Sequence, residues 1–594
     1  MKKTKLATLA LSAVLAVGTL GVITGCGESG PQDGQTSIRF WYTTSISQSN
    51  VLKAAVDVYN KGQGVEDGVF VEADNRQNVQ KNALYVDAPN VLMLDDANFK
   101  AWALEGLFTD LDEYYEQQPG NYTEEGIPQT MTERWRINKE KGADGIRIAG
   151  EGADRQGIPC GAAPMAYYYS IPNFEDQNIN IISCEEEALA EEYPGVQPHG
   201  YAEYKEQPFE GAESSLNLAG DTVYKVFNNR IPMNWEEFRY ISKMFTKTYN
   251  PDSPTTIGGG SHWWFAYGWS VGGDCIGWNG EHYEFTAADK EANWLVLTDE
   301  LDLNGTTYSA GEIVEYADRD AVADSPAGSV HELPSQYDAL KEFVCLTTSP
   351  DGNGGKGERG YGVGLYTGDQ AVSSLTTNGF VLYAGDATTI TALDTSYAGK
   401  YDIAPAQQWR EYEGGSVYYE GAESFANEYL KVIGETYDGE VYTGELAVDE
   451  ATGTPFVGRA TTHSAVNGLV IPERSDASKK DAAWKFIRWL ASAEGQAEIF
   501  DTGWVPNQTE LAYSDEFISV GNGKNYYALS FNVQGSNIGD WAYFENGEWV
   551  EEWSPLFNNN LRAGLITIDE FIAEKGAVAN EDCAAVDIYI NGRW

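Results

Sequence analysis

Aromatic side chains beside amide and carboxylate groups are the residues of this sequence with the clearest chemical meaning. The chain has 17 Trp and 36 Tyr among 594 residues. A pyranose ring offers an apolar C–H face, which packs on an aromatic plate, and a hydroxyl edge, which needs paired hydrogen bonds. A carbohydrate site therefore combines Trp or Tyr plates with Asp, Asn, Gln or Arg at its rim. Residues of both kinds fall on predicted loops at Trp41, Trp269, Asn378, Trp409, Asn467 and Trp504.

Catalytic and metal-binding patterns are weaker in this sequence. A glycoside hydrolase needs two carboxylates about 5 to 10 Å apart, and the 90 acidic residues do not single out such a pair. Neither Gly-x-Ser-x-Gly nor His-Glu-x-x-His occurs, and Asp351–Gly355 lacks the glutamate that would complete a calcium loop. The sequence therefore predicts no catalytic residue, no metal and no cofactor, although a cell-surface glycoside hydrolase stays an open alternative. The histidines have no metal-ligand spacing and stand at His199, His262, His282, His331 and His463.

The amino terminus has the pattern of a bacterial secretory signal. Lysines precede an apolar run over 6–23, and Ile23-Thr24-Gly25-Cys26 follows. These four residues resemble a lipobox, which implies cleavage after residue 25 and diacylation of Cys26. Residues 26–36 are polar and glycine-rich and predict a flexible tether. The expected location is the outer face of the cytoplasmic membrane, because two acyl chains suffice for stable anchoring.

Charge and cysteine content limit the partners. The formal net charge of −51 argues against binding to nucleic acid or to anionic lipid headgroups, and it favours a neutral ligand. Apart from Cys26, five cysteines remain, an odd number without zinc spacing, so we predict no disulfide framework. A structural or adhesive surface protein would have internal repeats, and the sequence shows none. We expect a monomer.

Alternating strands and helices open the mature chain. Strands are predicted at 37–42, 69–71 and 90–94, with helices at 51–59 and 99–107. This order indicates a doubly wound α/β lobe, in which ligands bind at the carboxyl ends of the strands. An alternative role for Asp95 is to cap the next helix. The residues at such strand ends are Trp41, Tyr42, Thr43 and Asp95.

The segment 461–507 carries the most local information. A short β-branched strand over 468–471 ends at a proline, and Ser478 stands three residues before Asp481, which is a capping-box spacing. Ser492 can cap a second helix that ends at Gly503, and we expect residues 504–507 to form an exposed loop. The apolar stripe of the first helix consists of Ala483, Phe486, Ile487 and Leu490.

This segment resembles the C-terminal signature of extracellular solute-binding proteins of carbohydrate-uptake ABC transporters. Four further segments resemble motifs of the same family, and the resemblance covers about two-thirds of the chain. Asn234 replaces the usual threonine at one helix start and Asp369 replaces a lysine, and neither change affects the expected site. The four segments are Gly157–Gly161 with Tyr167–Ser170, Ile231–Phe238, His262–Trp269 and Gly368–Gly379.

The resemblance implies an α/β, two-lobed periplasmic-binding-protein-like fold of type II, with doubly wound sheets joined by a multi-strand hinge. Lobe one would comprise 37–163 and 395–471, and lobe two would comprise 164–394 and 472–594. Crossovers would lie near Ala163, Thr395 and Pro472. Two stretches, near 175–229 and 297–335, are predicted insertions.

The resemblance also implies a function. The chain would capture a sugar or oligosaccharide between its lobes and deliver it to ABC permease subunits, while a separate subunit hydrolyses ATP, because this chain has no Walker A sequence. A non-sugar solute such as a peptide is the second alternative. The implied ligand-binding residues are Trp41, Tyr42, Thr43, Asp95, Trp263, Trp264, Trp269, Asn378, Trp409, Asn467 and Trp504.

Overall fold

The structure is a computed structural model. It describes residues 30–140, 147–150, 152–196, 202–204, 206–216, 222–247, 252–255, 258–260, 264–279, 282–296, 300–303, 305–314, 318–325, 330–347, 369–379, 381–411, 446–449, 453–537, 548–585 and 588–591. The predicted signal peptide, Cys26, Trp263 and the loop at 351–355 lie outside these ranges. Among the described residues, we find no helix with the length and apolar character that crossing a membrane requires.

The strands follow one another along the chain as β1 (Thr36–Tyr42), β2 (Val69–Asn75), β3 (Val91–Asp95), β4 (Arg147–Gly150), β5 (Ile158–Pro164), β6 (Ala166–Ser170), β7 (Ile179–Ile182), β8 (Ala202–Tyr204), β9 (Ser215–Leu216), β10 (Thr222–Asn228), β11 (Gly259–Gly260), β12 (Ile276–Trp278), β13 (Tyr283–Phe285), β14 (Ala292–Val296), β15 (Leu301–Leu303), β16 (Thr306–Tyr308), β17 (Val330–Ser335), β18 (Leu382–Gly385), β19 (Tyr401–Ala404), β20 (Thr462–Val470), β21 (Ser536–Asn537) and β22 (Ile588–Asn591).

The α-helices are α1 (Ile46–Lys61), α2 (Gln63–Asp67), α3 (Lys81–Val86), α4 (Asp96–Leu104), α5 (Asp112–Gln117), α6 (Gln129–Thr132), α7 (Ile171–Asp176), α8 (Glu186–Glu192), α9 (Trp235–Met244), α10 (Trp264–Ser270), α11 (Arg319–Ala323), α12 (Gln336–Thr347), α13 (Asp369–Thr376), α14 (Thr388–Ser396), α15 (Lys480–Leu490), α16 (Ala493–Ala497), α17 (Thr509–Ala512), α18 (Asp515–Val520), α19 (Tyr526–Gln534), α20 (Glu548–Leu556) and α21 (Ile568–Ala584).

Two main sheets organise these elements. The first has the order β2-β1-β3-β20-β21, and β5 also pairs with β20. Its strands β1, β2 and β3 are parallel, whereas β20 runs antiparallel to β3 and to β5. The second sheet has the order β11-β18-β6-β19. The predicted α/β class with two sheet-centred halves is confirmed by this arrangement, and the chain passes from one sheet to the other between β5 and β6.

The predicted insertion near 175–229 contains a small sheet of its own. Strand β10 lies between β7 and β8 and also pairs with β9. A separate hydrophobic cluster stabilises this unit, and it includes one residue of β7 and one of β10. The cluster consists of Ile182, Cys184, Leu189, Val196, Val226 and Ile231.

Helix α15 shows how the sequence pattern determines packing. All four stripe residues are buried, as the periodicity predicts. The ring centroid of Phe486 lies 5.2 Å from that of Phe40 on β1 and 5.1 Å from that of Tyr59 on α1. The helix therefore packs on the first sheet. The sequence prediction, in contrast, assigns every residue after 471 to lobe two.

The ends of the helices in this segment agree with the prediction at one place and differ at two. Ser492 accepts a hydrogen bond from the Gly495 N–H, as predicted. The second helix ends at Ala497, however, and Gly503, with a φ of +77° that favours glycine, ends a separate 3-10 turn at Phe500–Thr502. The predicted cap at Ser478 is wrong. Asp476 instead accepts hydrogen bonds from the Ser478 N–H and hydroxyl, because a single 3-10 turn precedes α15.

Candidate functional site

Asp95 and Asn467 lie opposite one another where β3 ends. They are register partners in the antiparallel pair of β3 and β20. Asp95 is exposed and caps α4, since its carboxylate accepts a hydrogen bond of 3.4 Å from the Asn98 N–H. The alternative capping role is thus confirmed. The structure brings a carboxylate and an amide together at the carboxyl edge of parallel strands, where hydroxyl groups of a ligand can be bound.

A buried ion pair supports this edge and was missed by the sequence analysis. Arg134 Nη1 lies 2.6 Å from Asp96 Oδ2, and the two side chains are 2% and 7% exposed. The Val466 N–H donates to the same carboxylate oxygen at 3.2 Å, and Arg134 also donates to the Ser464 carbonyl. The pair therefore joins the start of α4 to β20. No local motif marks Arg134, because its partners are distant in sequence.

Electrostatics at this edge keep one histidine neutral. Burial lowers the pKa of His463 on β20 to about 3, and the positive charge of Arg134 contributes to the shift. Burial raises the pKa of Asp96, and the opposing effects are the charge and hydrogen bonds of Arg134 and Val466. His463 is thus uncharged at neutral pH.

At the end of β1, two of the three predicted ligand contacts are covered by protein. Trp41 is buried, and the Arg76 guanidinium carbon lies 4.4 Å from its ring centroid. Tyr42 is fully buried, its hydroxyl lies 3.2 Å from Ser49 Oγ, and burial raises its pKa. Thr43 is exposed. The backbone position agrees with a strand-end site, but the side-chain packing of Trp41 and Tyr42 favours a core role.

Trp409 presents a partly accessible indole after β19. Its ring centroid lies 5.1 Å from that of Trp235 at the start of α9, and its backbone N–H donates to Ser270 Oγ at 2.9 Å. The side chain is half-buried. Its carbonyl accepts from the Gly458 N–H, so the backbone is fixed on both sides. A half-buried indole on a fixed backbone is suited to packing on a sugar ring.

Gln407 accompanies Trp409 and was missed by the sequence analysis. Gln407 Oε1 accepts a hydrogen bond from the Tyr167 hydroxyl at 2.9 Å. Within the described residues, Gln407 Nε2 and Trp409 Nε1 are buried donors for which no hydrogen-bond acceptor is found. No local motif marks Gln407, because its partner Tyr167 lies 240 positions away in the sequence.

The tryptophans of α10 belong to the core. Trp264 is buried against Trp553 and Phe557, with ring centroids 5.7 and 5.2 Å away, and Trp269 is 1% exposed. These contacts favour packing over the predicted ligand contact. Asn378, in contrast, is exposed after α13 and has a φ of +58°.

The loop after α16 is not exposed, contrary to the prediction. Trp504 is 8% exposed, and a Cβ added to Gly161 of β5 would lie 3.1 Å from the Trp504 Cβ. Val505 and Ala162 exchange two backbone hydrogen bonds, and Asn507 donates to the Pro159 carbonyl. Tertiary pairing with β5 therefore buries a segment whose polar and proline composition suggests a surface loop.

One acidic cluster could offer ligands to a cation. Carboxylate oxygens of Asp110, Asp112 and Asp154 lie within 4.8 Å of one another. Asp112 is paired with the guanidinium of Arg155, and Asp110 accepts from the Asp112 N–H. Proximity of Asp110 and Asp112 adds to burial in raising the pKa of Asp154. The cluster is part of a protein ion-pair network, and we assign it no metal.

Comparison with known proteins gives one match to a family. Residues 409–521 match the family described as bacterial extracellular solute-binding protein. The resemblance that the sequence predicts is confirmed over these residues, and the match supports an extracytoplasmic location. Among curated proteins, none matches the chain in sequence.

Solved structures with similarity to the chain have low sequence identity. An ABC substrate-binding protein from Listeria monocytogenes, in complex with cycloalternan, is 12% identical over 92% of this chain and 99% of that chain, with a TM-score of 0.48. The GacH receptor of Streptomyces glaucescens is 12% identical over 93% of this chain and 99% of that chain, with a TM-score of 0.49. The sugar-binding protein MalE from Xanthomonas citri is 11% identical, covering 92% and 98%, with a TM-score of 0.49.

Proposed function

We propose that this chain is a lipid-anchored substrate-binding protein that captures a sugar or oligosaccharide outside the cell and delivers it to an ABC permease. The observation that carries the proposal is the family match over 409–521. This stretch contains three of the predicted site residues, Trp409, Asn467 and Trp504. It also contains the strand that pairs with the end of β3.

The chemistry of two separate groups supports a sugar ligand. Trp409 offers an indole face, and Gln407 beside it has an amide donor with no acceptor among the described residues. Asp95 and Asn467 offer acceptors and a donor at the edge of the first sheet. Aromatic plates with a few directed polar groups are the composition that carbohydrate sites require.

Capture would work by a population shift. A ligand that contacts groups from both sheets stabilises the closed form, in which the two sheets are close together. In the open form it cannot contact both sheets, so it does not stabilise that form to the same extent. We assign lobe one to 37–163 with β20 and α15, which pack in or on the first sheet, and lobe two to the elements of the second sheet, including β19 and the Trp409 that follows it. Thr43 and Asn378 are exposed and remain proposed contacts of the ligand, as do Trp409, Asn467 and Asp95. The buried tryptophans are weaker candidates.

Anchoring through Cys26 would place the protein on the outer face of the cytoplasmic membrane, within reach of permease subunits. The support is the Ile23–Cys26 pattern and the polar stretch that follows it. No enzymatic step is part of the proposal.

The proposal is tested by thermal-shift and calorimetric titration against mono- and oligosaccharides, with a peptide panel as the second arm. Saturable binding of a saccharide that is recovered intact supports the proposal. Binding confined to peptides supports the alternative solute. Reproducible cleavage of an oligosaccharide, abolished by one Asp or Glu substitution, overturns the proposal in favour of a hydrolase.

A further inference from the structure

A polar pocket lies beside the first sheet, and none of the candidate sugar contacts lines it. It has a volume of about 120 Å³ and lies between α2, the turn at 120–121 and α15. Asp67 ends α2, one residue before the start of β2, with Gly68 between them, whereas Asp95 ends β3. Because these strands belong to one parallel set, the pocket and the candidate sugar site are at opposite edges of the sheet.

Positive charge exceeds negative charge in this pocket. Its ionisable lining residues are Lys485, Arg488 and Asp67. The Lys485 ammonium donates to the Asp67 carbonyl at 2.9 Å, and Arg488 Nη2 lies 3.5 Å from Asp67 Oδ1. Two cations thus line the pocket with one carboxylate, and each contacts a different group of Asp67, on a chain whose formal net charge is −51.

The carboxylate of Asp67 already has its own hydrogen-bond donors. The Tyr59 hydroxyl donates to Oδ2 at 3.0 Å, and Gln63 Nε2 donates to Oδ1 at 3.2 Å. Arg488 also donates an N–H to the Gln118 carbonyl at 3.1 Å. An ammonium carries three N–H groups and a guanidinium five, so both cations retain donors beyond these contacts.

Gly120 leaves the space that the Arg488 side chain occupies. Its φ is +63°, and a Cβ added there would lie 2.8 Å from both Cδ and Nε of Arg488. A glycine is therefore required for the guanidinium to reach its place beside the turn. The amide of Asn121 and the indole of Trp489 complete the lining.

We propose that this pocket binds a small oxyanion of the class of inorganic phosphate, sulfate or a free carboxylate. A guanidinium and an ammonium that converge on one small space are the groups that recognise such anions. The Asp67 carboxylate would hold Arg488 in position, and the Asp67 carbonyl would hold Lys485. This binding is separate from the proposed sugar capture, because none of the lining residues is a candidate sugar contact.

The test is calorimetric titration of the full chain with inorganic phosphate at constant ionic strength. Lys485→Gln removes one cation, and Asn121→Glu places a negative charge at an exposed lining position, where folding is not at risk. Each change is expected to weaken phosphate binding about tenfold or more, which is the effect of losing one charge-assisted hydrogen bond. The matched control is Lys53→Gln, an exposed lysine on α1 outside the pocket, which should bind phosphate like the parent.

Three outcomes overturn the proposal: no saturable phosphate binding by the parent, equal affinity in Asn121→Glu, or the same loss in Lys53→Gln. Saccharide titration of the same variants separates the two proposals. Unchanged saccharide affinity in Asn121→Glu, together with lost phosphate binding, supports the oxyanion site. Failure of all saccharides to bind the parent would count only against the proposed function.

Discussion

Asp96 and Arg134 form a buried ion pair that joins the first turn of α4 to the chain beside β20. Their nearest atoms are 2.6 Å apart, and both side chains are more than nine-tenths buried. The same carboxylate accepts from the backbone of β20, the strand that carries Asn467. The position of the candidate ligand edge therefore depends on this pair.

Asp96→Asn is expected to destabilise the fold by ~3 to 5 kcal/mol, because it leaves the Arg134 charge buried without its partner. The measurement is chemical denaturation of the parent and the variant. Asp74→Asn is the matched control, since the Arg76–Asp74 pair is about half exposed and such pairs contribute about 0 to 1 kcal/mol. Equal losses in the two variants would contradict the role assigned to the buried pair.

Trp409→Ala is expected to weaken saccharide affinity about thirtyfold or more, since loss of a stacking anchor usually costs at least ~2 kcal/mol of binding. Its effect on the melting temperature should be small, because the side chain is half-buried. Trp264→Ala should show the reverse, with a stability loss of ~3 to 5 kcal/mol from its core cavity. Calorimetric titration and thermal unfolding of both variants decide the matter. Unchanged affinity in Trp409→Ala would remove it from the site.

Trp504→Ala is expected to lower stability by ~3 kcal/mol or more, as Phe486→Ala should, because both side chains are buried. The sequence alone predicts a different result, in which Trp504→Ala mainly weakens sugar binding. Thermal unfolding and saccharide titration of both variants distinguish the two. A parental melting temperature with lost affinity would restore Trp504 as a ligand contact.

Acid should destabilise the protein in part through His463. Its pKa of about 3 in the folded state lies below the ordinary value of about 6.5, so the unfolded chain binds the extra proton between these values. Stability is fully present above pH ~6.5 and falls as the pH decreases toward 3, by ~2 kcal/mol between pH 6.5 and pH 5. The free energy of unfolding should be measured at pH 7, 6 and 5 for the parent and for His463→Gln. An identical pH dependence in both would show that His463 does not contribute.

Cys26→Ser is expected to abolish incorporation of labelled lipid, because the predicted acylated thiol is lost. The measurement is metabolic labelling with a radioactive fatty acid, followed by fractionation of membranes. Cys160→Ser is a suitable control, since Cys160 is a buried free cysteine within the fold. Equal labelling of Cys26→Ser and the parent would contradict the lipoprotein prediction.

Short-range patterns in the sequence determined much of the fold. The strand at 36–42, the helix at 480–490 with its buried stripe, and the capping role of Asp95 follow from periodicities and side-chain contacts within a few residues. Such signals are local, because the residues on the buried face of a helix or strand recur at a fixed spacing along the chain.

Only the tertiary structure decided which side chains are available to a ligand. Arg134 meets Asp96 across 38 positions and Ser464 across 330, and Trp504 is covered because Val505 pairs with Ala162. The sequence placed tryptophans near strand and loop ends, but burial depends on which distant element packs over each ring. Because that packing is set by long-range pairing of strands, no local spacing could distinguish the half-buried Trp409 from the buried Trp264, Trp269 and Trp504.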